Sequence, residues 1–242
     1  MKKLLFIFLP ILVFAAAPQI PTVNLSLTAP ETPKQLVSVL NITILLTLLA
    51  LAPSIILVMT SFVRLLVVFG FLRQALGTPQ SPPTTLLVSL ALVLTFFIME
   101  PYAKQAYNNG IKPYMEEKIG YDVAFERAVK PFKTFMIKNT REKDLALFFR
   151  IRHLPNPKTI DDVPLTILVP AFMLSELKTA FEIGFLVFLP FLVIDMVVSS
   201  VLMSLGMMML PPVMISLPFK ILVFVLVDGW NLIVMGLVQS FK

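Results

Sequence analysis

Residues 170–212 read PAFMLSELKTAFEIGFLVFLPFLVIDMVVSSVLMSLGMMMLPP, and the fold turns on how this stretch is read. It enters as an amphipathic helix carrying Glu176, Lys178 and Glu182, and from Ile183 it is almost wholly apolar. Asp195 then stands in the middle of the apolar run, where an acid is costly in hydrocarbon and is expected to be paired or functional. Met207, Met208 and Met209 set three unbranched, polarisable side chains side by side, a composition suited to a surface that must repack. Pro211 and Pro212 forbid the helix from continuing.

The rest of the chain is of the same kind. Hydrophobic residues make up 57% of the 242 and the mean hydropathy is +0.89, well above the roughly 45–50% apolar content of soluble domains. This is the composition of an integral membrane protein, or of one buried in a larger apolar assembly, and with its helical runs the expected fold is all-α and membrane-associated. With no cysteine there is neither a disulfide framework nor a thiolate metal site, and the single histidine, His153, rules out a multi-imidazole centre. The net charge of +6 does not point to nucleic acid. Residues 100–163 hold 12 of the 20 Lys and Arg and 9 of the 14 Asp and Glu, a mixed-sign solvated surface rather than a one-sided basic patch.

Met1-Lys2-Lys3, the apolar run LLFIFLPILVF and Ala15-Ala16-Ala17 have the three regions of a secretory signal peptide over 1–17. An uncleaved anchor is the alternative, because Pro18 follows the scissile position. A flexible Pro/Thr-rich stretch is expected over 18–35, outside the cytoplasmic membrane. Residues 36–99 then predict a first apolar helical hairpin. In it Pro53 and Arg64 divide the block Leu36–Leu72, a span runs through Ile42–Val63, and Arg64 snorkels at its inner end. The loop RQALGTPQSPP, Arg73–Pro83, carries only positive charge and is assigned to the inside. Thr84–Met99 gives a helix of about 24 Å, short of the ~30 Å hydrocarbon core, so protein or a thinned bilayer must cover it.

Residues 100–163 predict a hydrophilic helical insertion. One helix shows Phe125, Ala128, Val129, Phe132, Phe135 and Met136 on one face, with Pro131 kinking or dividing it. A second is expected from near Asn139, capped with Glu142, and carries Leu145, Phe148 and Phe149 inward. His153 is expected to be solvated beside Arg150 and Arg152. Asp161-Asp162 before Val163-Pro164 reads as the N-cap of the next helix, which opens the second apolar hairpin, 164–242. There Lys220 and Asp228 join Asp195 and Arg64 as ionisable groups in apolar surroundings, each costing on the order of 2.5–3.5 kcal/mol if unpaired. Which acid meets which base is left open. The loop 206–217 has no Lys or Arg to mark it as inside, so these segments read equally as hairpins packed in protein.

At PAFMLSELKTAFEIGF, PFLVIDMVVSSVLMSLGMMMLPP and LPFKILVFVLVDGW the sequence resembles the FliP family of type III secretion export-gate proteins, over nearly its whole length. A signal peptide together with this insertion resembles the flagellar branch. The resemblance implies packed helical hairpins at or above the membrane plane, in a ring of five joined by FliQ and FliR, with FlhB and FlhA associated, in the inner membrane at the flagellar basal body. It implies a pore for unfolded flagellar proteins, closed by a gasket of Met207, Met208 and Met209. Glu176 and Asp195 fall within the matching blocks, and together with Arg64, Lys220 and Asp228 they are expected to be buried ionisable residues in structural pairing. No cofactor or metal is implied.

Two other classes compete. A secondary transporter or ion channel would use Asp195, Lys220 and Asp228 as a relay, but the two halves show no internal symmetry beyond an expected hairpin in each. An embedded enzyme would need an HExxH, GxSxG, P-loop or Gly-rich dinucleotide motif, and the chain has none of these.

Overall fold

The computed structural model describes residues 33–155, 157, 159, 162–207 and 210–241. The expected signal peptide, all but the end of the stretch 18–35, Asp161, Met208 and Met209 lie outside the described residues. Two compact units divide the chain, 1–47 and 48–242.

The described chain begins in α1 (Pro33–Val58), whose stretch Val39–Val58 is long and apolar enough to cross a membrane. In residues 33–47 the hydroxyls of Thr43 and Thr47 donate to the carbonyls of Val39 and Thr43, at 2.8 Å each, so neither needs water. Pro53 does not divide the helix. A helix in apolar surroundings keeps its remaining backbone bonds because nothing else there can satisfy them.

The break comes instead at Met59–Ser61, where the Thr60 hydroxyl turns back to Leu57 O at 2.7 Å. Helix α2 (Phe62–Ala75) follows and buries Leu65, Val68, Phe69, Leu72 and Ala75 at spacings of three and four. Arg64 lies on this buried side, only 2% exposed, and so does not snorkel. The cause is an internal partner for its charge, described below.

The short run from Thr84 is also longer than expected. Helix α3 (Thr84–Ala106) passes through Glu100 and Pro101, and a π-helical turn (Tyr107–Ile111) and α4 (Lys112–Met115) extend the rod to Met115. Glu100 stays on the exposed face, paired with Lys104 one turn on. Helix α5 (Tyr121–Asn139) contains Pro131 without dividing, and faces inward with Ala124, Pro131, Phe135 and Met136 while Phe125 is exposed. Asn139 does not cap α6 (Glu142–Ile151). Its side chain bonds back to Phe135 O at 2.9 Å, and α6 starts after Arg141 with no side-chain cap. Leu145, Phe148 and Phe149 do turn inward, and His153 is exposed.

Helix α7 (Leu165–Ser204) is 40 residues long and runs through Pro170 and Pro190, about 60 Å at 1.5 Å per residue. It starts after Pro164, later than the acidic pair suggests, because Asp162 instead accepts from the Thr159 amide at 2.9 Å. Helices α8 (Pro212–Leu226) and α9 (Gly229–Gln239) are bent by 65° at residues 227–228.

Among the described residues of 48–242, three clusters form the core. Phe135, Met136, Phe149, Ile167, Leu168 and Phe172 bind α5 and α6 to the start of α7. Leu65, Val68, Phe69, Leu87, Ala91, Ala180 and Leu237 gather α2, α3, α7 and α9. Leu72, Ala75, Leu76, Phe191 and Phe224 join α2 and α7 to α8. Arg64 meets Glu176, Phe71 lies against Gly184, and the end of α2 meets Phe191. The two numbers rise together, so α2 and α7 run side by side in the same direction. Among the described residues there is no strand. Among the described residues three helices are long and apolar enough to cross a membrane, or four if α8 and α9 count as one broken span.

Candidate functional site

The long helix α7 ends at Leu205, and Gly206 makes the turn with φ +75°, a left-handed conformation natural to glycine. Beyond it Met207 is exposed, and Met203, Leu205, Leu210 and Met214 around it are exposed as well. Of the methionine triplet, Met207 is the member inside the described residues. This apolar, thioether-rich end has no charged side chain between Asp195 and Lys220.

Two charge centres sit behind it. In the first, Arg64 faces Glu176, which is completely buried. The guanidinium donates through Nε to Oε2 at 2.9 Å and through Nη2 to Oε1, the two-pronged geometry that suits arginine and a carboxylate. Its remaining arm, Nη1, donates to the Ser240 carbonyl at 2.9 Å and the Ser240 hydroxyl at 3.0 Å. The face of the group lies 3.9 Å from the Phe241 ring centre, a cation–π contact.

In the second, Lys220 Nζ donates to Asp195 Oδ2 at 2.6 Å and to the Ala75 carbonyl at 3.1 Å, and the Ser216 hydroxyl donates to Asp195 Oδ1 at 2.6 Å. Lys220 is buried, whereas the Asp195 side chain is about one-third exposed. One lysine therefore ties α8 to α7 and, through an otherwise unpaired carbonyl at the end of a helix, to α2. Asp228 belongs to neither centre. It is exposed at the α8–α9 bend and accepts from the Asn231 side chain at 3.1 Å.

Sequence reasoning did not single out a third polar knot. The Arg141 amide donates to the Ser175 hydroxyl at 3.0 Å, which donates to Asp144 at 2.6 Å, and the Arg141 guanidinium reaches Glu182 at 2.9 Å. It fastens α6 to α7 one residue before Glu176. The roles of Ser216, Ser240 and Phe241 were missed too, since nothing in their spacing marks them. Among the described residues no three His, Asp or Glu side chains gather as metal ligands.

Lys220→Met keeps the apolar stem and removes the ammonium, leaving the Ala75 carbonyl buried without its donor. An unmade buried hydrogen bond costs about 1–3 kcal/mol, and the charge part is discounted because Asp195 is partly solvated. Asp228→Asn, at an exposed position, should stay within about 0.5 kcal/mol. Thermal unfolding in detergent should therefore rank Lys220→Met well below Asp228→Asn, and equal Tm values would contradict this arrangement.

The FliP family model matches residues 45–237, a range that holds both charge centres except for Ser240 and Phe241. The chain is 54% identical over 209 residues to the flagellar biosynthetic protein FliP of Bacillus subtilis, covering 86% of this chain and 95% of the relative. The protein of that name from Caulobacter vibrioides is 56% identical over 198 residues, 82% of this chain and 74% of its own. That of Aquifex aeolicus is 48% identical over 209 residues, 86% and 87% respectively.

Proposed function

The chain belongs to the FliP family, and from that premise we propose that five copies form a ring whose closed pore is the gate through which unfolded flagellar proteins leave the cytoplasm. As a FliP protein with three or four apolar helices able to span a bilayer among its described residues, it is a membrane-embedded protein of flagellum biogenesis with a role in flagellar export. The finer reading sets the ring in the inner membrane with FliQ, FliR, FlhB and FlhA as partners. It assigns residues 1–17 to a signal peptide, 18–35 and 100–163 to the periplasmic side, and 36–99 and 164–242 to two apolar units. No catalytic step is part of it.

The observation that carries this reading is the contrast between the end of α7 and the shafts behind it. The shafts are held by the Asp195–Lys220 pair and Ser216, while beyond them the last turn of α7, the connection and the first turn of α8 expose Met203, Met207 and Met214 respectively. A pore that transmits polypeptide must seal against ions when idle and admit any side chain in transit. Methionine, with three rotatable bonds and a soft thioether, can close on its counterparts or around a guest, which branched side chains cannot. In the proposed ring, Met207, Met208 and Met209 from each copy meet at the axis.

Replacing Met207, Met208 and Met209 together with alanine is the test. The complex should assemble with unchanged composition, and the idle pore should conduct ions in planar bilayers where the parent does not. Intact assembly with an unchanged seal would reject the gasket.

A further inference from the structure

Helices α8 and α9 are separate only because of residues 227–228. Without the bend, Pro212–Gln239 would be one apolar helix of about 42 Å, enough to cross a ~30 Å hydrocarbon core. The bend carries a cost, since Asp228 has φ +52°, a left-handed conformation unfavourable to a residue with a Cβ. Something must hold it.

Few contacts do so. At the elbow the Phe224 ring lies over Gly229 so closely that a Cβ there would come within 2.3 Å of it, and Trp230 meets Phe224 edge-on with centroids 5.6 Å apart. Further along α9, Leu237 is buried in the cluster between α2, α3 and α7, with Ile233 partly so. At the far end Ser240 and Phe241 close on Arg64 with two hydrogen bonds and a ring face, and Phe241 stacks against Phe135 at 5.9 Å. The other two prongs of Arg64 are held by Glu176, which fixes the orientation in which Arg64 receives Ser240 and Phe241.

We propose that α8 and α9 form a two-state element, bent and latched when Ser240 and Phe241 rest on the Arg64–Glu176 pair, and straight when that pair is not made. The latch then reports that α2 and α7 have come together, because the arginine that receives it is oriented by a carboxylate on α7. Until then the elbow relaxes and α9 continues α8. This inference concerns the single chain and does not depend on the pore reading.

The chain has no cysteine, so single reporters are clean. Leu237→Cys places a thiol at a site 2% exposed, and Met136→Cys one at a fully buried site among α5, α6 and α7. Labelling by N-ethylmaleimide is followed on the full chain in membranes. With Phe241→Ala the Leu237→Cys thiol should react about 10-fold faster, the factor that corresponds to 1.4 kcal/mol of lost latch contact, while Met136→Cys stays protected. Adding Asp228→Gly, which removes the left-handed penalty, should restore protection. A Leu237→Cys thiol as protected with Phe241→Ala as without it overturns the proposal. So does exposure of both reporters together, for then α9 has no opening of its own.

Discussion

Glu176→Ala is expected to prevent the folded chain from accumulating in the membrane. The substitution leaves the Arg64 guanidinium in a site only 2% exposed, with two of its prongs facing a void. Removing one member of a buried pair costs about 3–5 kcal/mol, a large part of the 5–15 kcal/mol that holds a typical domain together. Arg64→Ala should cost a similar amount, because it strands Glu176 and the Ser240 carbonyl at once. The two losses are not additive. Arg64→Met with Glu176→Leu removes both charges and fills the space, and should recover most of the stability of either single change. Arg64→Lys should not rescue, since one ammonium cannot serve the carboxylate, the carbonyl and the ring face together. Thermal unfolding in detergent and the yield of folded protein decide the matter. A Glu176→Ala chain with an unchanged Tm would mean that the pair is not closed in the folded protein.

Gly110→Ala should be the next most damaging single change. Gly110 lies in the π-helical turn between α3 and α4, and a Cβ there would come within 2.7 Å of Ala124 O and Ala128 N and 2.9 Å of the Ala128 Cβ. Two of the three are backbone atoms of α5 and cannot swing aside. The turn must lift off α5, and overpacking of this kind costs about 1–3 kcal/mol. Gly236→Ala is the matched control. It lies inside α9 with nothing within 4 Å of the added methyl, and alanine should stabilise a helix interior there by about 0.8–1.0 kcal/mol. Limited proteolysis between residues 112 and 121 should accelerate for Gly110→Ala and not for Gly236→Ala. Equal digestion of the two variants would refute the close approach.

The helical, apolar character of the chain was legible because composition and hydrophobic runs report it directly. The element boundaries were legible only in part, for one recurring reason. Pro53 was read as dividing its block and Pro131 as kinking or dividing its helix, yet both lie inside undivided helices, as do Pro101, Pro170, Pro190 and Pro218. In apolar surroundings a helix that forgoes one bond is still better than a loop that forgoes several. The caps failed differently. Asn139 and Asp162 have the right chemistry, but each spends its side chain on a local backbone group. Which charges meet was beyond the sequence, since Arg64 and Glu176 are 112 residues apart and Asp195 and Lys220 are 25 apart. The polar knot of Arg141, Asp144 and Ser175 was hidden for the same reason, as its members lie on two helices and look like ordinary surface residues. At the candidate gate, Met203, Met207 and Met214 are each exposed, and the run Met207, Met208 and Met209 stands out in the sequence only because it is contiguous.

The side-by-side course of α2 and α7 has a mechanical outcome. The shorter rod is pinned to the longer one directly through Arg64 at its start, and at its finish through Lys220 of α8, which bridges the Ala75 carbonyl to Asp195. A splint riveted at both ends cannot slip by a turn along its neighbour without shearing one rivet, so any load pulling on the methionine tip reaches the far end as a tilt of the pair.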